Sequence, residues 1–435
     1  MQKFLFLAST LLLSANASFS QQNINQIINK SYVEKLLNTL ASDEMGGRHA
    51  LTPHIAKAAD YIAEEFRQIG LQPYSQTADY RQSFQMFKIN REKATIIWEQ
   101  NSIPSESFLI VGNNANLTWN EKSNIKVDYI KIGDDFSSKF ADAIQSQENT
   151  IILVDPSFAS YIKRYNKIYS RENVVGENQI EKTASKVFIV ADRIASNFSI
   201  SCTNKIEKLD LFNVAGVIPG KSKSNEYVIF SAHYDHIGTL KPTEQDSIAN
   251  GADDDASGTS AMISLAKYYK QLNNNERTLI FVAFTAEEIG MYGSKYFSNN
   301  INPDSVIAMI NIEMIGKDSK FGPKTMYITG YNHSDLGKLM QENLKNTPFQ
   351  FHPDPYPRQN LFYRSDNAVL AALGVPVHTF STSQIDKDTY YHTVKDEVST
   401  LDIENIMSSI EAIALGAEGL VKGIQTPSRV EKLRD

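Results

Sequence analysis

Histidines and carboxylates recur in this chain at the ends of apolar runs. YVIFSA leads into His233-Tyr234-Asp235-His236, TLIFVAFT into Ala286-Glu287-Glu288, and SVIAMINI into Glu313. A loop reading Gly251-Ala252-Asp253-Asp254-Asp255-Ala256-Ser257-Gly258 and a later one reading Tyr391-His392-Thr393 can add further donors. Carboxylates gathered within a few ångströms repel one another, and divalent cations relieve that repulsion. Imidazole with carboxylate suits Zn²⁺, and the same donors accept Mn²⁺ or Co²⁺. A two-metal site, its ions roughly 3.5–4 Å apart, needs one carboxylate shared between them and a water to activate. Singly, these pieces say little. A His-x-Asp is mostly a satisfied pair, Glu-Glu a solvated helix start, and three Asp a loop or cap. The information lies in their order and in the strands that carry them.

Those strands follow from the pattern of the runs. The runs named, with TMYIT and VPVHTFS, are nearly continuous in apolar residues, as in strands buried on both faces of a largely parallel sheet. Helical stretches separate them: GTSAMISLAKYYKQL after Ser257, SDLGKLMQENLKN, SDNAVLAALG ending at Gly374, and a final helix over roughly 400–424. The alternation predicts a doubly wound α/β fold, in which ligands bind at the carboxyl ends of the strands. Residues 31–72 read as helices, with Thr52 as N-cap, Pro53 in the first turn and Gly70 as the stop. Between 85 and 205 short β-rich runs alternate with polar loops, predicting an inserted subdomain. The chain thus divides into a signal peptide (1–20), a helical part (21–84), the insert (85–205), the domain bearing the strand-end residues (206–425) and a tail (426–435).

The joint pattern is specific. SDEMGGR, HYDH, GADDDASG, FTAEEIGMYGS, NIEMIG, RSDN and YYHTVKDE, spread over roughly 35–80 and 210–400, resemble the bacterial leucyl aminopeptidase and aminopeptidase Y family of co-catalytic dizinc exopeptidases. The resemblance implies that His233 and Glu313 bind one zinc, Glu288 and His392 the other, and that Asp254 bridges the two. It makes Glu287 the general acid/base and Asp235 the carboxylate that orients His233. It also implies a cis peptide after Asp254. Two positions depart from the family. Glu313 stands where Asp is common, and Asn367 where many relatives carry His.

The implied function is a secreted zinc aminopeptidase acting on the N-termini of peptides or proteins. Within the same fold a carboxypeptidase would need a cation for the substrate carboxylate, for which Arg358 or Arg364 is available. Glutaminyl cyclases usually lose the continuation that this chain keeps as Asp254-Asp255-Ala256-Ser257-Gly258. A non-catalytic receptor-type domain would be expected to lose ligands that are all present here. Tyr363 and Arg364 are candidates for the substrate pocket, which favours aromatic and a few placed polar groups. His236 reads as a residue that supports the site or forms its wall, and His378 as core. The insert loosely resembles the protease-associated lid of some relatives.

Composition bounds the rest. The chain has 435 residues, 42% of them hydrophobic and 21% charged, an ordinary globular balance. A count of 43 Lys and Arg against 50 Asp and Glu leaves no basic excess for a phosphate backbone, so nucleic acid is not an expected partner. One cysteine excludes an intrachain disulfide framework and a cysteine-rich metal site. The start MQKFLFLASTLLLSANASFS has Lys3, an apolar stretch from Phe4 to Leu13, and small residues after it. It predicts an export signal cut after Ala17 or, by preference, after Ser20, too short for a membrane span, and hence a periplasmic or extracellular protein. Composition says nothing about oligomeric state.

Overall fold

The computed structural model describes residue 24 and residues 26–74, 79–169, 173–180 and 182–433. The expected export signal, 1–20, lies outside the described residues. The chain divides into two compact units, one made of 1–83 with 211–435, the other of 84–210.

In the first unit the strands that carry the site and its flanks are β1 (Phe198–Ile218, of which 211–218 belong here), β2 (Lys223–His233), β3 (Arg277–Phe284), β4 (Val306–Ile312), β5 (Thr325–Ile328), β6 (Gln350–Pro353) and β7 (Val377–Ser381). They lie in the order β6-β5-β7-β4-β2-β3-β1. The pairs β2–β3, β2–β4, β4–β7 and β5–β6 are parallel; β1 against β3 and β5 against β7 are antiparallel. The doubly wound, mostly parallel sheet expected from the apolar runs is therefore present.

The runs are continuous because both faces are covered. Along β3, Leu279, Phe281 and Ala283 enter one apolar cluster while Ile280, Val282 and Phe284 enter another. Alternate residues of a strand point to opposite faces, so a strand between two cores needs apolar residues at every position. The first cluster takes its helical partners from α1 (Lys30–Leu40), α2 (His54–Ile69), α3 (Gly258–Leu272), α5 (Leu336–Asn343) and α7 (Ile403–Gly416). The second takes Phe297 of α4 (Tyr292–Asn299) and Leu370 of α6 (Asn367–Ala372).

Helix α2 stops where expected, at Gly70, whose φ of 83° needs a residue without a Cβ penalty. Its start differs. Pro53 is the N-cap with no side-chain cap, and the Thr52 hydroxyl donates to the His49 carbonyl instead. The final helix is also shorter than expected: α7 ends at Gly416 and a turn Glu418–Val421 follows.

The second unit is not only strands. Phe108–Val111, Lys186–Val190, Thr150–Val154 and Lys126–Ile130 form a four-stranded sheet in that order, and helices Phe136–Gln145 and Ala159–Tyr169 accompany it. Ile151 and Leu153 belong to one apolar cluster and Ile152 and Val154 to another, the same two-faced burial on a smaller scale. Cys202 is buried in this unit.

Candidate metal centre

The register of the sheet brings three strand ends level. His233 at the end of β2 lies beside Phe284 of β3, and Ser231 beside Asn311 of β4. The chain passes from β2 to β3, then back across β2 to β4, so its direction reverses between β2 and β4. The crevice above such a reversal is where open α/β sheets bind ligands.

The loop before α3 sorts its three acids by direction. The Asp253 carboxylate accepts from Gly316 N–H at 2.7 Å. The Asp255 carboxylate accepts from His233 N–H at 3.3 Å and from Gly258 and Met314 N–H at 3.1 Å each. Both outer acids therefore stitch the loop to the ends of β2 and β4. Gly258 has no room for a Cβ, which would meet the Ile312 carbonyl and the Asp255 carboxylate. Asp396 accepts from the backbone N–H groups of Asp253 at 2.9 Å and Asp254 at 3.1 Å. The Asp254–Asp255 peptide is cis, as the resemblance implies.

The middle acid, Asp254, presents its two oxygens to different histidines. Oδ1 lies 3.2 Å from His233 Nε2, and Oδ2 lies 3.2 Å from His392 Nε2. His392 Nε2 is also 3.0 Å from Glu288 Oε2. Burial opposes charge on Asp254, but His233, His392 and His236 hold its carboxyl well below the usual range. Burial lowers His392 too, but Asp254 and Glu288 outweigh it and push the imidazole up to about 10.

His236 takes the supporting place, one of its two readings. Its Nδ1 is 2.8 Å from Glu288 Oε1 and 3.7 Å from Asp254 Oδ2. Each of His236, Asp254, Glu288 and His392 offers a donor atom, all within 4.8 Å of one another. That tight group contains His236 and not His233, which approaches Asp254 from its other oxygen, nor Glu313. The sequence signal for His236 was its place in HYDH.

These donors fit metal. His233 Nδ1 is 3.1 Å from the Asp235 carbonyl, which can only accept, so Nδ1 carries a proton and Nε2 is the nitrogen left to face Asp254. Nε2 of His233, His236 and His392 and Oε2 of Glu313 are buried without a hydrogen-bond partner. Buried polar atoms are rarely left so, and imidazole nitrogens converging with carboxylate oxygens at about 3.2 Å make a site whose charge either protons or a bound cation can balance. Imidazole with carboxylate is the donor set of Zn²⁺.

Asp235 differs from expectation. Its carboxylate is 3.8 Å from His233 Nδ1, farther than its own carbonyl. The carboxylate instead accepts from Glu287 N–H at 3.1 Å and Glu288 N–H at 3.4 Å, clamping the backbone of the acidic pair. Burial pushes the Asp235 carboxyl up to about 6. Burial likewise holds the Glu287 carboxyl well above the usual carboxylate range, with Glu313, Asp366 and Glu288 adding to it.

A cavity of about 310 Å³ opens beside these groups, with Asp254, Glu287, Glu288 and Glu313 on its wall. Glu313 reaches it from the end of β4; burial raises its carboxyl and Ser365 opposes the rise by a hydrogen bond. Arg364 lines the cavity too. Tyr363, the other candidate, is not on that wall. It packs with Phe362 beside Ala371 and Val430 and meets His333 edge-on. Sequence reading gave no role to Asn367, which is buried and accepts from the Thr379 hydroxyl at 2.9 Å while donating to the Phe362 carbonyl at 2.8 Å. Its neighbour Asp366 is buried as well, and burial pushes its carboxyl up to about 7. His378 is core, as expected.

Known proteins agree with this fold. The structure resembles an aminopeptidase from Aneurinibacillus sp. strain AM-1, at 18% identity and a TM-score of 0.53, over 95% of this chain and 97% of that one. It also resembles the zinc aminopeptidase BSAP from Bacillus subtilis, at 17% and 0.53 over 93% and 98%. LapA of Legionella pneumophila matches at 15% and 0.51 over 93% and 74%. Among curated proteins, a vacuolar membrane protease of Schizosaccharomyces pombe is 24% identical over 58% of this chain and 28% of its own. A probable zinc metalloprotease of Pyrenophora teres f. teres is 30% identical over 25% of this chain and 23% of its own. The chain spans about a quarter of the length of these curated relatives. The resemblance carried by the motifs is matched where it matters: residues 213–416, which hold every donor described above, match the model of peptidase family M28.

Proposed function

We propose that the chain is a zinc-dependent aminopeptidase that cleaves peptide bonds at the N-termini of its substrates. The observation that supports this best is Asp254, whose two oxygens face separate imidazole nitrogens beside an acid, Glu287, that borders the cavity. Two divalent cations, Zn²⁺ by donor type, would be held by His233 and Glu313 on one side and Glu288 and His392 on the other with Asp254 between, and would supply the Lewis acidity that activates water and polarises the scissile carbonyl.

The chain's own residues do the rest. Glu287, raised by burial, accepts a proton from the attacking water and returns it to the leaving amine. Asp235 fixes the backbone of Glu287 and Glu288, so that one acid can stay free while its neighbour ligates. His236 braces Glu288 through Nδ1.

A panel of aminoacyl, N-blocked and carboxyl-terminal reporter peptides, assayed with added Zn²⁺, tests the reading. Cleavage confined to free N-termini supports it. Cleavage of N-blocked peptides from the carboxyl end would replace it with a carboxypeptidase, the second reading, which the cation Arg364 on the cavity wall favours. Export belongs to the same proposal, and N-terminal sequencing of exported protein that still began at Met1 would reject cleavage after Ser20. No helix among the described residues is long and apolar enough to cross a membrane.

A further inference from the structure

The wall of the cavity is strongly acidic. Asp254, Glu287, Glu288, Glu313 and Asp388 all reach it, and Asp388 is already paired with Lys317 at 2.7 Å. Among the described residues one cationic side chain lines the cavity, Arg364. It is exposed, and its guanidinium makes no hydrogen bond or ion pair with any described residue. This contrasts with the buried arginines of the same unit. Arg48 and Arg277 spend their donors on carbonyls, a hydroxyl and Glu226.

The backbone that carries Arg364 is nevertheless pinned. Arg364 N–H donates to the Leu361 carbonyl at 3.1 Å, closing a tight turn. Asn367 holds the Phe362 carbonyl on one side of Arg364. On the other side, the Ser365 hydroxyl accepts from Asn311 at 3.0 Å. Asn311 in turn accepts from Ser231 at 2.8 Å and donates to Thr379 at 3.1 Å. These residues sit on β2, β4 and β7, and all are buried. An unpaired guanidinium on a backbone fixed to the central strands stays free to meet a planar anion in the cavity, which it can hold with two parallel hydrogen bonds.

We propose that Arg364 recognises a carboxylate of the substrate, so that the protein prefers peptides bearing a carboxylate close to the scissile bond. The inference rests on the peptidase reading and adds a substrate class to it. Two sources share this chemistry: an acidic side chain next to the scissile bond, or the terminal carboxylate of a very short peptide.

The test uses the full chain loaded with Zn²⁺ and two matched comparisons. One sets Glu- against Gln-aminoacyl reporters. The other sets dipeptides with free carboxyl termini against the same dipeptides amidated. In at least one comparison the carboxylate member should have a kcat/KM about 10-fold or more above its neutral partner. Each ratio is read within one protein. Arg364→Gln should bring it close to 1, and Arg364→Lys, which keeps the charge but not the fork, should leave an intermediate value. The ratio should also fall as NaCl is added. A response in the Glu/Gln comparison identifies the side chain as the source; a response in the other identifies the terminal carboxylate. Ratios near 1 in the unmodified protein, or unchanged in Arg364→Gln, overturn the proposal. Calorimetric binding of the same pairs to Glu287→Gln reads the ratios without turnover. A chain that cleaves nothing thereby rejects the peptidase reading, while the binding ratios still decide the role of Arg364.

Discussion

The two ends of the central sheet treat buried charge in opposite ways. At the amino-terminal end of β3, Arg277 is fully buried yet satisfied. Its Nε donates to Glu226 at 2.6 Å, its Nη1 to the Leu420 and Gln425 carbonyls at 2.8 and 2.5 Å, and its Nη2 to the Thr426 hydroxyl at 2.7 Å. At the carboxyl-terminal end, His233 is just as buried and Glu313 half-buried, but both keep orphaned donor atoms, and acids crowd around them. A buried charge whose partners are all present holds the scaffold together. One whose partners are missing destabilises the empty fold and persists because something else completes it. Arg48 shows that position alone does not decide this. It lies next to the metal donors, but its guanidinium donates to the carbonyls of Tyr234, Leu40, Asn250 and Gly251, so it shapes the loops and takes no ligand.

This contrast can be broken most forcefully by removing what completes the carboxyl-terminal end. Chelation should abolish hydrolysis and Zn²⁺ should restore it, with elemental analysis giving two ions per chain. Ion binding at 100 times its Kd should also raise stability by about 2.7 kcal/mol. Full activity in demonstrably metal-free protein would end the metal hypothesis.

Next in size is the free acid of the pair. Glu287→Gln should lower kcat by about 10²–10⁴-fold while metal content stays near that of the unmodified protein. Glu288→Gln should instead weaken metal binding itself. Loss of the ions in Glu287→Gln, or an intact kcat, would show the two roles to be misassigned.

The satisfied end should answer differently. Arg277→Met leaves the Leu420 and Gln425 carbonyls without their donor, and chemical denaturation should show a loss of about 3 kcal/mol, with kcat per folded molecule unchanged. If stability held and turnover fell, the scaffold role of that end would be wrong.

His378 gives a pH test away from the metal donors. Burial pushes its imidazole down to about 4, although Nδ1 donates to the Thr329 carbonyl at 2.7 Å. In the unfolded chain the imidazole titrates near its ordinary value, about 6.5. Below that value the unfolded chain binds a proton that the folded protein refuses, so stability is complete above pH 6.5 and is lost as pH falls toward 4. The loss should reach about 3 kcal/mol at most. His378→Gln should flatten that part of the stability curve; an identical slope in the variant would remove His378 as its source.

The smallest effect is the most diagnostic. Burial raises the carboxyl of Glu313, so its ionised form costs stability in the metal-free fold. Glu313→Gln should therefore raise the melting temperature of metal-free protein, by about 2 °C, while weakening metal binding. A lowered melting temperature in chelator would mean that this end is not held under electrostatic strain.

Much of this architecture could be read without coordinates, for an identifiable reason. Burial on both faces writes itself into a strand as an unbroken apolar run, and a left-handed helix end as glycine. The strands leading to His233, Glu287 and Glu313 and the stop at Gly70 were legible on those grounds. Directions were not legible. Asp253, Asp254 and Asp255 are identical as letters. Only the backbone partners that the two outer acids find at the end of β2 and just after β4 leave the middle one facing the histidines. His236 stands in the donor group, the Asp235 carboxylate faces the backbone of Glu287 and not His233, and Tyr363 lies off the cavity that Arg364 lines, each a matter of side-chain direction. Residue type and period come from local sequence. Which oxygen or nitrogen faces which neighbour depends on strand register and on contacts between residues hundreds of positions apart, and those exist only once the chain has folded.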